Sequence, residues 1–293
     1  MTQQTTTNSI QVIAVDLDGT LLNSQHQVSE RTEKALKAAI AKGVQVILAT
    51  GKTAASGRKL TDKLGLKLPG IYTQGTVIYD AEGTLLHQQT FSPALARQVI
   101  TFAEDRGYNI VLYCGNRLLV RTITGWIATL NSKYGEPVPE VVNGLQNVLD
   151  SVPVNKLLAV TDNDPRRVKA LRWQLSMQVD GAARMMDSGI TGVLEILPPA
   201  VSKATALKTM LKDMKVPTSA VMAIGDAEND VEMLQLAGIG VAVGNAAAVV
   251  KDVADYVVAS NDADGVAEAI ERFVLAAEQS PAEKIEVASE SKS

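Results

Sequence analysis

Residues 12–22 read VIAVDLDGTLL, an apolar run that breaks into two aspartates, a glycine and a threonine. The apolar part has the length and composition of a buried β-strand. Because side chains alternate along an extended chain, Asp16 and Asp18 point to the same side where the strand ends. Gly19 permits a sharp turn directly after them. Two carboxylates held close together favour a bound cation, and Mg²⁺ prefers such oxygen ligands.

The aspartate pair has two other interpretations. Two solvated aspartates in a turn would need no ligand, and an EF-hand loop would bind Ca²⁺. The EF-hand glycine and closing glutamate are missing at the required positions. A solvated turn leaves unexplained why further polar motifs follow other apolar runs downstream. A metal site at the end of the strand is therefore the hypothesis that the rest of the sequence supports.

The composition restricts the class of protein. The chain has 293 residues, of which 46% are hydrophobic, and this is enough for two domains. A formal net charge of -4 argues against nucleic acid as a partner. The single cysteine excludes an internal disulfide and fits a reducing, cytoplasmic location. Because the N-terminus lacks an apolar signal and no apolar run approaches membrane-spanning length, no membrane partner is expected.

Strand-like and helix-like segments alternate in the first part of the chain. The predicted elements after the first strand are a helix at 29–42, a strand at 44–49, a helix up to residue 64, a strand at 70–76 and a hairpin at 78–86. This order predicts a parallel sheet with helices on its faces. The alternation of strand-like and helix-like segments resumes near residue 198, with a helix at 204–214 and a buried strand at 220–224. The predicted fold class is α/β, a doubly wound, mostly parallel sheet with a Rossmann-like core.

The pattern changes at residue 88. Strand-like runs at 109–114 and 117–121 flank a two-residue turn and predict an antiparallel hairpin. Further elements are predicted at 93–106, 155–161, 165–177, 183–186 and 193–196. We therefore expect an inserted α+β cap domain at 88–190, between the halves of a discontinuous core at 10–87 and 191–278. The N-terminal residues 1–9 are expected to be flexible, and the polar tail 279–293 to be disordered.

Polar side chains that can bind a ligand lie beside predicted strands and helices at several points of the predicted core. Thr50 ends the second strand, Lys203 precedes a helix, and Asp226 and Asp230 follow a later strand. In open parallel sheets, ligands bind outside the carboxyl ends of the strands, so these groups are expected to meet the first aspartate pair in one crevice. Four carboxylates against one lysine favour a divalent cation and a phosphate group.

The positions of the histidines and the cysteine limit which side chains can be the nucleophile. His26 and His87 lie outside the polar motifs, and Cys114 lies in the predicted insert. These three side chains are interpreted as surface or core residues. An aspartate is then left as the group that attacks phosphorus and forms an acyl-phosphate.

Four motifs in order carry a resemblance to a known family. They are DLDGT at 16–20, ILATGK at 47–52, Ser202-Lys203, and GDAEND at 225–230. Together they resemble the motifs of the haloacid dehalogenase superfamily of aspartate-nucleophile phosphatases. The insert lies between the second and third motifs, and with YTQGTVIYD at 72–80 and DSGITGVLEILPPAVSKATAL at 187–207 it is similar to the Cof-like branch, which has a large α/β cap.

The resemblance implies a role for each catalytic residue. Asp16 would be the nucleophile, and Asp18 would protonate the leaving group and then activate water. Thr50 and Lys203 would hold the phosphoryl oxygens. The ligands implied for Mg²⁺ are Asp16, the main-chain carbonyl of Asp18, and Asp226, with Asp230 in support. The residues implied to bind substrate are Gly51, Lys52, Gln74, Gly75 and Asn229, of which Asn229 would contact phosphate or Lys203.

The expected function is Mg²⁺-dependent hydrolysis of small phosphorylated metabolites, either sugar phosphates or phosphorylated cofactors, through an aspartyl-phosphate. A phosphosugar mutase and a non-catalytic phosphometabolite-binding module are the alternatives. The chain departs from the family pattern at three places: Lys52 replaces an arginine, Gln74-Gly75-Thr76 replaces Asn-Gly-Ala, and Ala204 replaces a glycine. These departures bear on which substrate is bound, because none of them is in the catalytic set.

Overall fold

The computed structural model describes residues 9–161, 164–187 and 190–276. In chain order, the first part contains β1 (Val12–Val15), α1 (Glu30–Ala41), β2 (Gln45–Ala49), α2 (Ala54–Lys63), β3 (Gly70–Tyr72), β4 (Val77–Tyr79) and β5 (Leu85–Gln88). The second part contains α3 (Pro93–Glu104), β6 (Asn109–Cys114), β7 (Arg117–Val120), α4 (Leu130–Tyr134), β8 (Glu140–Val141), β9 (Lys156–Val160), α5 (Pro165–Val179), β10 (Arg184–Asp187) and β11 (Val193–Leu197). The last part contains α6 (Lys203–Met214), β12 (Val221–Gly225), α7 (Val231–Leu236), β13 (Ile239–Ala242), α8 (Ala248–Lys251), β14 (Tyr256–Val257) and α9 (Gly265–Ile270), which runs into a π-helical turn at Glu271–Leu275.

Eight strands form the larger sheet, in the order β14-β13-β12-β1-β2-β3-β4-β5. Strand β1 lies between β12 and β2 and is parallel to both, with Val15 opposite Ile224 on one side and Leu48 on the other. All four residues of β1 are fully buried, as expected for a central parallel strand that is covered on both faces. At one edge, the pairings of β3 with β4 and of β4 with β5 are antiparallel. The predicted α/β fold with a large, mostly parallel sheet is confirmed.

Polar side chains set the first residues of two helices in this core. Ser29 accepts a hydrogen bond from the backbone N–H of Thr32, at 3.1 Å, and caps α1. Ser202 caps α6 in the same way through the backbone N–H of Thr205, at 3.1 Å. The Thr205 side chain in turn accepts a hydrogen bond from the Ser202 backbone N–H. This pair of reciprocal hydrogen bonds, a capping box, makes Lys203 the first residue of α6 and fixes where its side chain begins.

Six strands form the smaller sheet, in the order β10-β11-β9-β6-β7-β8. Its strands are antiparallel apart from β7 and β8. On one face, buried residues of α3 and α5 pack against the sheet. On the other face, Tyr113, Leu158 and Val193 pack against Ile127 and Leu130. The second face is the one that turns toward the larger sheet, because it shares a cavity with the ends of β1 and β2.

The end of the insert differs from the sequence expectation. The core was expected to resume at residue 191, but β11 pairs with β9 in the smaller sheet, with Leu194 opposite Ala159. Apart from Glu195 the strand is an apolar run, and such a run does not indicate which sheet it joins. The smaller sheet therefore extends past the expected boundary at 190, to Leu197. Of the expected terminal segments, 1–8 and 279–293 lie outside the described residues.

Within the described ranges, no helix is both long enough and apolar enough to cross a membrane.

Candidate active site

The centre of the site is a buried lysine between two aspartates. Lys203 Nζ lies 2.5 Å from Asp16 Oδ1 and 2.8 Å from Asp230 Oδ1. Lys203 is 1% exposed, Asp16 6% and Asp230 0%, so these three charges lie out of bulk water. Buried charges are tolerated only when they are paired and hydrogen-bonded, and this arrangement meets that condition. The three residues come from three distant parts of the sequence.

Two adjacent strands bring these side chains together. Asp16 directly follows β1, and its backbone N–H donates to the carbonyl of Ile224 on β12, at 3.0 Å. Asp230 ends a short 3-10 turn after β12, and its Oδ2 accepts hydrogen bonds from the backbone N–H groups of Asp226 and Ala227, at 3.1 Å each. A side chain at Gly225 would overlap that of Asp230, so only glycine fits the end of β12.

Asp226 lies beside this triad. Its Oδ1 accepts a hydrogen bond of 2.6 Å from the Thr20 hydroxyl. Gly19 has a φ of +83°, and a Cβ there would lie 2.5 Å from Asp226 Oδ2. The turn after Asp18 thus requires glycine both for its backbone conformation and for the approach of this carboxylate.

The carboxylates outnumber the cations in this part of the site. One oxygen from each of Asp16, Asp226 and Asp230 lies within 4.8 Å of the others. Burial raises the pKa of Asp226 to about 6, and the hydrogen bond from Thr20 opposes that rise. Burial also raises the pKa of Asp16 well above its usual range, against the opposing charge of Lys203. Both carboxyl groups would be more readily ionised if another cation were present.

Lys203 keeps its charge in this environment. Burial lowers the pKa of the ammonium, but the charges of Asp16 and Asp230 outweigh burial and raise it above its usual range. The lysine is therefore a permanent positive charge at the floor of the site.

Asp18 has different neighbours from Asp16. Its Oδ1 lies 3.0 Å from Lys52 Nζ, and its side chain is 41% exposed. Lys52 Nζ also donates a hydrogen bond of 2.8 Å to the main-chain carbonyl of Tyr134, on α4 of the insert. One ammonium group thus connects the second aspartate of the first motif to the smaller unit. The Asp18 side chain is not part of the carboxylate cluster described above.

The second motif places a buried hydroxyl at the end of β2, the strand that neighbours β1. Thr50 follows β2, is 1% exposed, and accepts a hydrogen bond from the Lys52 backbone N–H at its Oγ1, at 3.2 Å. Its carbonyl accepts the backbone N–H of Gln74 at 3.1 Å. The carbonyl of Gly51 accepts a hydrogen bond of 2.8 Å from Lys156 Nζ, on β9 of the insert.

The loop after β3 is held in a left-handed conformation. Gln74 has a φ of 61°, which is uncommon for a residue other than glycine, and its neighbour Gly75 has a φ of +98°. A Cβ at Gly75 would overlap the carbonyl of Ser202, the residue that caps α6. Gln74 Oε1 accepts a hydrogen bond of 2.9 Å from Asn229 Nδ2. Asn229 was expected to contact phosphate or Lys203, but its amide nitrogen binds Gln74, and its buried Oδ1 has no hydrogen-bond partner among the described residues.

Three charged residues of the site were not found from the sequence. Lys156 and Glu195 form an ion pair of 3.1 Å on neighbouring strands of the insert, and both are buried. Glu136 is 3% exposed and accepts a hydrogen bond of 2.6 Å from the Thr53 hydroxyl. A charged residue inside the apolar runs KLLAV and VLEIL was a usable signal for the first two, because unpaired charges are rarely buried. Glu136 lies in a loop between elements and carries no such signal.

The predicted residues and these additional ones surround one cavity of about 650 Å³. The predicted site residues that line it are Asp16, Asp18, Thr50, Gly51, Lys52, Gln74, Asp226 and Asn229. Lys203 and Asp230 lie behind Asp16, within hydrogen-bond distance of each other. The smaller sheet and α4 supply the opposite wall. A volume of this size fits a small organic ligand.

Comparison with protein families matches residues 13–270 to one family, described as haloacid dehalogenase-like hydrolase. The chain belongs to the haloacid dehalogenase-like hydrolases. The resemblance read from the four sequence motifs, including that to the Cof-like branch, is thereby confirmed. The predicted enzyme class, a phosphoric monoester hydrolase, is confirmed at the level of this family and its phosphatase relatives.

Three similar proteins illustrate the breadth of the family. This hydrolase is 33% identical over 272 residues to a protein of Arabidopsis thaliana named endoribonuclease YBEY, chloroplastic, a match that covers 90% of this chain but only 46% of the plant protein. It is 30% identical over 268 residues to the Bacillus subtilis 5-amino-6-(5-phospho-D-ribitylamino)uracil phosphatase YcsE, covering 91% of this chain and 96% of that one. A solved haloacid dehalogenase-like hydrolase from B. subtilis superposes with a TM-score of 0.81 and 28% identity, covering 90% of this chain and all of that one.

Proposed function

We propose that this hydrolase is a Mg²⁺-dependent phosphatase of small phosphorylated metabolites and that Asp16 is its nucleophile. The observation that carries the proposal is the buried contact of Lys203 with Asp16 and Asp230, because Asp16 in turn lines a cavity that can admit a small ester. The name of the B. subtilis relative, a phosphatase of a phosphorylated uracil derivative, agrees with this class of substrate.

The residues present fit a magnesium ion. Asp16 and Asp226 each offer a carboxylate oxygen, and because burial raises the pKa of both groups, a bound cation would stabilise their ionised forms. Asp230 already binds Lys203 with one oxygen and two backbone N–H groups with the other, so it supports the site. When bound there, Mg²⁺ would neutralise charge on the phosphoryl oxygens.

The first half of the reaction forms a covalent intermediate on the protein. An oxygen of Asp16 attacks phosphorus, and the bond from phosphorus to the ester oxygen breaks. Asp18 donates its proton to that oxygen as the alcohol leaves. Lys203 and the hydroxyl of Thr50 hold the phosphoryl oxygens, where negative charge accumulates in the transition state.

The second half returns the enzyme to its starting state. Asp18, now ionised, takes a proton from a water molecule whose oxygen attacks phosphorus. The bond between phosphorus and Asp16 breaks, and inorganic phosphate is released. Because Lys52 holds Asp18 at 3.0 Å, we propose that Lys52 turns toward the substrate when Asp18 acts as acid and base.

We further propose that the insert, from residue 89 to about 198, is a cap on the core. Its Tyr134, Lys156 and Glu195 contact Lys52, Gly51 and Gln74, which are all core residues beside Asp16 or Thr50. A cap in this position would exclude water from the reacting groups and contact the part of the substrate beyond the phosphate.

The test is phosphate release from p-nitrophenyl phosphate by the purified protein. Hydrolysis is expected with Mg²⁺, loss of activity in EDTA, and recovery when Mg²⁺ is restored. Ca²⁺ is expected to inhibit, because its looser coordination would misplace the attacking carboxylate. Full activity in chelator, or no activity on any phosphate ester with Mg²⁺ present, would contradict the proposal.

A further inference from the structure

An aromatic pair forms part of the cavity wall that faces the core. Trp126 lies in the 3-10 turn Gly125–Thr129, and Tyr134 is the last residue of α4. Their ring centroids are 5.5 Å apart at an interplanar angle of 52°, and the indole N–H donates a 3.3 Å hydrogen bond to the Tyr134 hydroxyl. Ile127 and Leu130 bury the base of this segment against the smaller sheet. The two half-buried rings are thus held in place, and both line the cavity.

The pair lies on the side of the cavity where the alcohol of an ester would leave. The Tyr134 carbonyl accepts a hydrogen bond of 2.8 Å from Lys52 Nζ, and the same nitrogen is 3.0 Å from Asp18 Oδ1. Asp18 is the group proposed to protonate the leaving oxygen. The alcohol attached to that oxygen must therefore extend from Asp18 toward the segment that carries Trp126 and Tyr134.

The charged side chains on this wall already have protein partners. Lys156 binds the carbonyl of Gly51 and the carboxylate of Glu195, whose second oxygen binds Gln74. Glu136 accepts hydrogen bonds from Thr53. The rest of the wall consists of the aromatic side chain of Tyr113 and the apolar side chains of Leu130, Leu158, Ile190 and Val193. An alcohol with many hydroxyl groups would have few protein groups to bind there, whereas a planar ring can pack against the aromatic pair and the aliphatic side chains.

We propose that this enzyme selects phosphate monoesters whose alcohol carries a planar aromatic or heteroaromatic ring close to the ester oxygen, and that Trp126 and Tyr134 bind that ring. The inference rests on the proposed phosphatase function and assigns the substrate class of the same site. Trp126 supplies a stacking surface, and Tyr134 holds the indole through its hydroxyl and Lys52 through its carbonyl.

The turnover test compares esters that differ in shape. Benzyl phosphate has a planar ring, cyclohexylmethyl phosphate has a ring of the same size that is not planar, and glucose 6-phosphate is a polyol. We expect wild type to favour benzyl phosphate by kcat/KM. In Trp126→Ala, the ratio of kcat/KM for benzyl to cyclohexylmethyl phosphate should fall roughly 5- to 150-fold, the range for loss of one aromatic stacking contact. Trp126→Phe should restore much of the ratio, and Trp173→Ala, which removes a 67% exposed tryptophan on α5, is the matched control. An unchanged ratio in Trp126→Ala, or a wild-type preference for glucose 6-phosphate, would overturn the proposal.

A binding test separates this inference from the proposed function. The chain has two tryptophans, so Trp173→Phe leaves Trp126 as the sole indole emitter. With EDTA present to prevent turnover, benzyl phosphate should change the Trp126 emission in a saturable manner, and glycerol 2-phosphate should not. Equal responses to both esters, or none to either, would overturn the ring site. If wild type hydrolysed no ester but this emission still responded to benzyl phosphate alone, the phosphatase proposal would fail and the ring-binding site would stand.

Discussion

Gln74 Nε2 donates a hydrogen bond of 2.8 Å to Glu195 Oε2, and this contact joins a loop of the larger sheet to a strand of the smaller one. The other oxygen of Glu195 pairs with Lys156, which binds the carbonyl of Gly51. Two buried charges of the insert therefore position two core loops, one next to Thr50 and one next to α6. This arrangement couples the packing of the insert to the geometry of the site.

Removing one member of the Lys156–Glu195 pair should destabilise the protein strongly. Lys156→Met leaves Glu195 buried without its cation, and we expect the free energy of unfolding to fall by roughly 3–5 kcal/mol. The double variant Lys156→Met/Glu195→Leu should recover part of that loss, because no uncompensated charge remains. Urea unfolding followed by circular dichroism measures both. The control is Arg117→Ala, which breaks an exposed ion pair with Glu140 and should change stability by less than about 1 kcal/mol. Equal effects of the two single substitutions would contradict the role assigned to burial.

Glu136 should make stability fall as pH rises. Burial raises the pKa of this carboxyl in the folded protein, while the Thr53 hydrogen bonds oppose the rise. The folded state therefore holds the proton more tightly than the unfolded state does. The resulting stabilisation is fully present below the unfolded pKa and is lost as pH rises through the folded pKa. Unfolding of wild type and Glu136→Gln from pH 4 to pH 7 should show wild type losing more stability with rising pH. Glu140→Gln is a control in which the opposite pH trend is expected, because Arg117 lowers the pKa of Glu140. If both variants differed from wild type with the same pH trend, the effect could not be assigned to the raised pKa of Glu136.

Two glycines with similar backbone angles should differ in their tolerance of a side chain. Gly43 has a φ of +84° and open space around it, whereas Gly75 has a φ of +98° and faces the Ser202 carbonyl. Gly43→Ala should cost about 1 kcal/mol of stability, from the backbone conformation alone. Gly75→Ala adds a clash with Ser202, the N-cap residue of α6, and we expect the loss of stability to be roughly 1–3 kcal/mol larger. Thermal unfolding of the two variants makes the comparison. Equal losses would show that the loop at Gly75 moves away from α6 without cost.

Substitutions of the two aspartates of the first motif should lower the activity in different ways. Asp16→Asn replaces the attacking carboxylate with a neutral amide, and we expect turnover to be abolished while the circular dichroism spectrum is kept. Asp18→Asn retains the nucleophile but loses the proton transfers, which should lower kcat by about 10²–10⁴-fold. Steady-state hydrolysis of p-nitrophenyl phosphate measures both. Near wild-type turnover by purified Asp16→Asn would exclude it as the nucleophile.

Lys52 should influence which substrates are preferred. Its ammonium connects Asp18 to the Tyr134 carbonyl, and a hydrogen bond of a charged group is worth about 1.5–3 kcal/mol. Lys52→Ala should lower kcat/KM by roughly 10- to 150-fold for substrates that reach this nitrogen, and it should change their ranking. Lys52→Arg should keep more of the original ranking, because the positive charge is retained. A uniform loss across a panel of phosphorylated metabolites would show that Lys52 has no part in the choice of substrate.

Local patterns carried much of the fold. The hairpin at 109–121 and the helix after Ser29 are set by residues that are close in sequence, through a short turn and an N-cap, and both were predicted close to their observed ends. The meeting of Asp16, Lys203 and Asp226 was also predictable, because parallel strands place their carboxyl ends at one edge of a sheet. The segment with Trp126 and α4 was not predicted, since its short turns depend on packing against the smaller sheet.

By itself, the sequence determined the family, the central strand β1, and the charged groups that follow it, because these depend on apolar periodicity and on motifs of a few residues. Only the tertiary structure decided that β11 joins the smaller sheet, that Lys156 pairs with Glu195, and that Lys52 lies between Asp18 and Tyr134. A mostly apolar strand can be buried in either sheet. The residues next to a lysine in the sequence do not indicate which group it will pair with. Those contacts are selected only when the whole chain folds and each buried charge must find a group that compensates it.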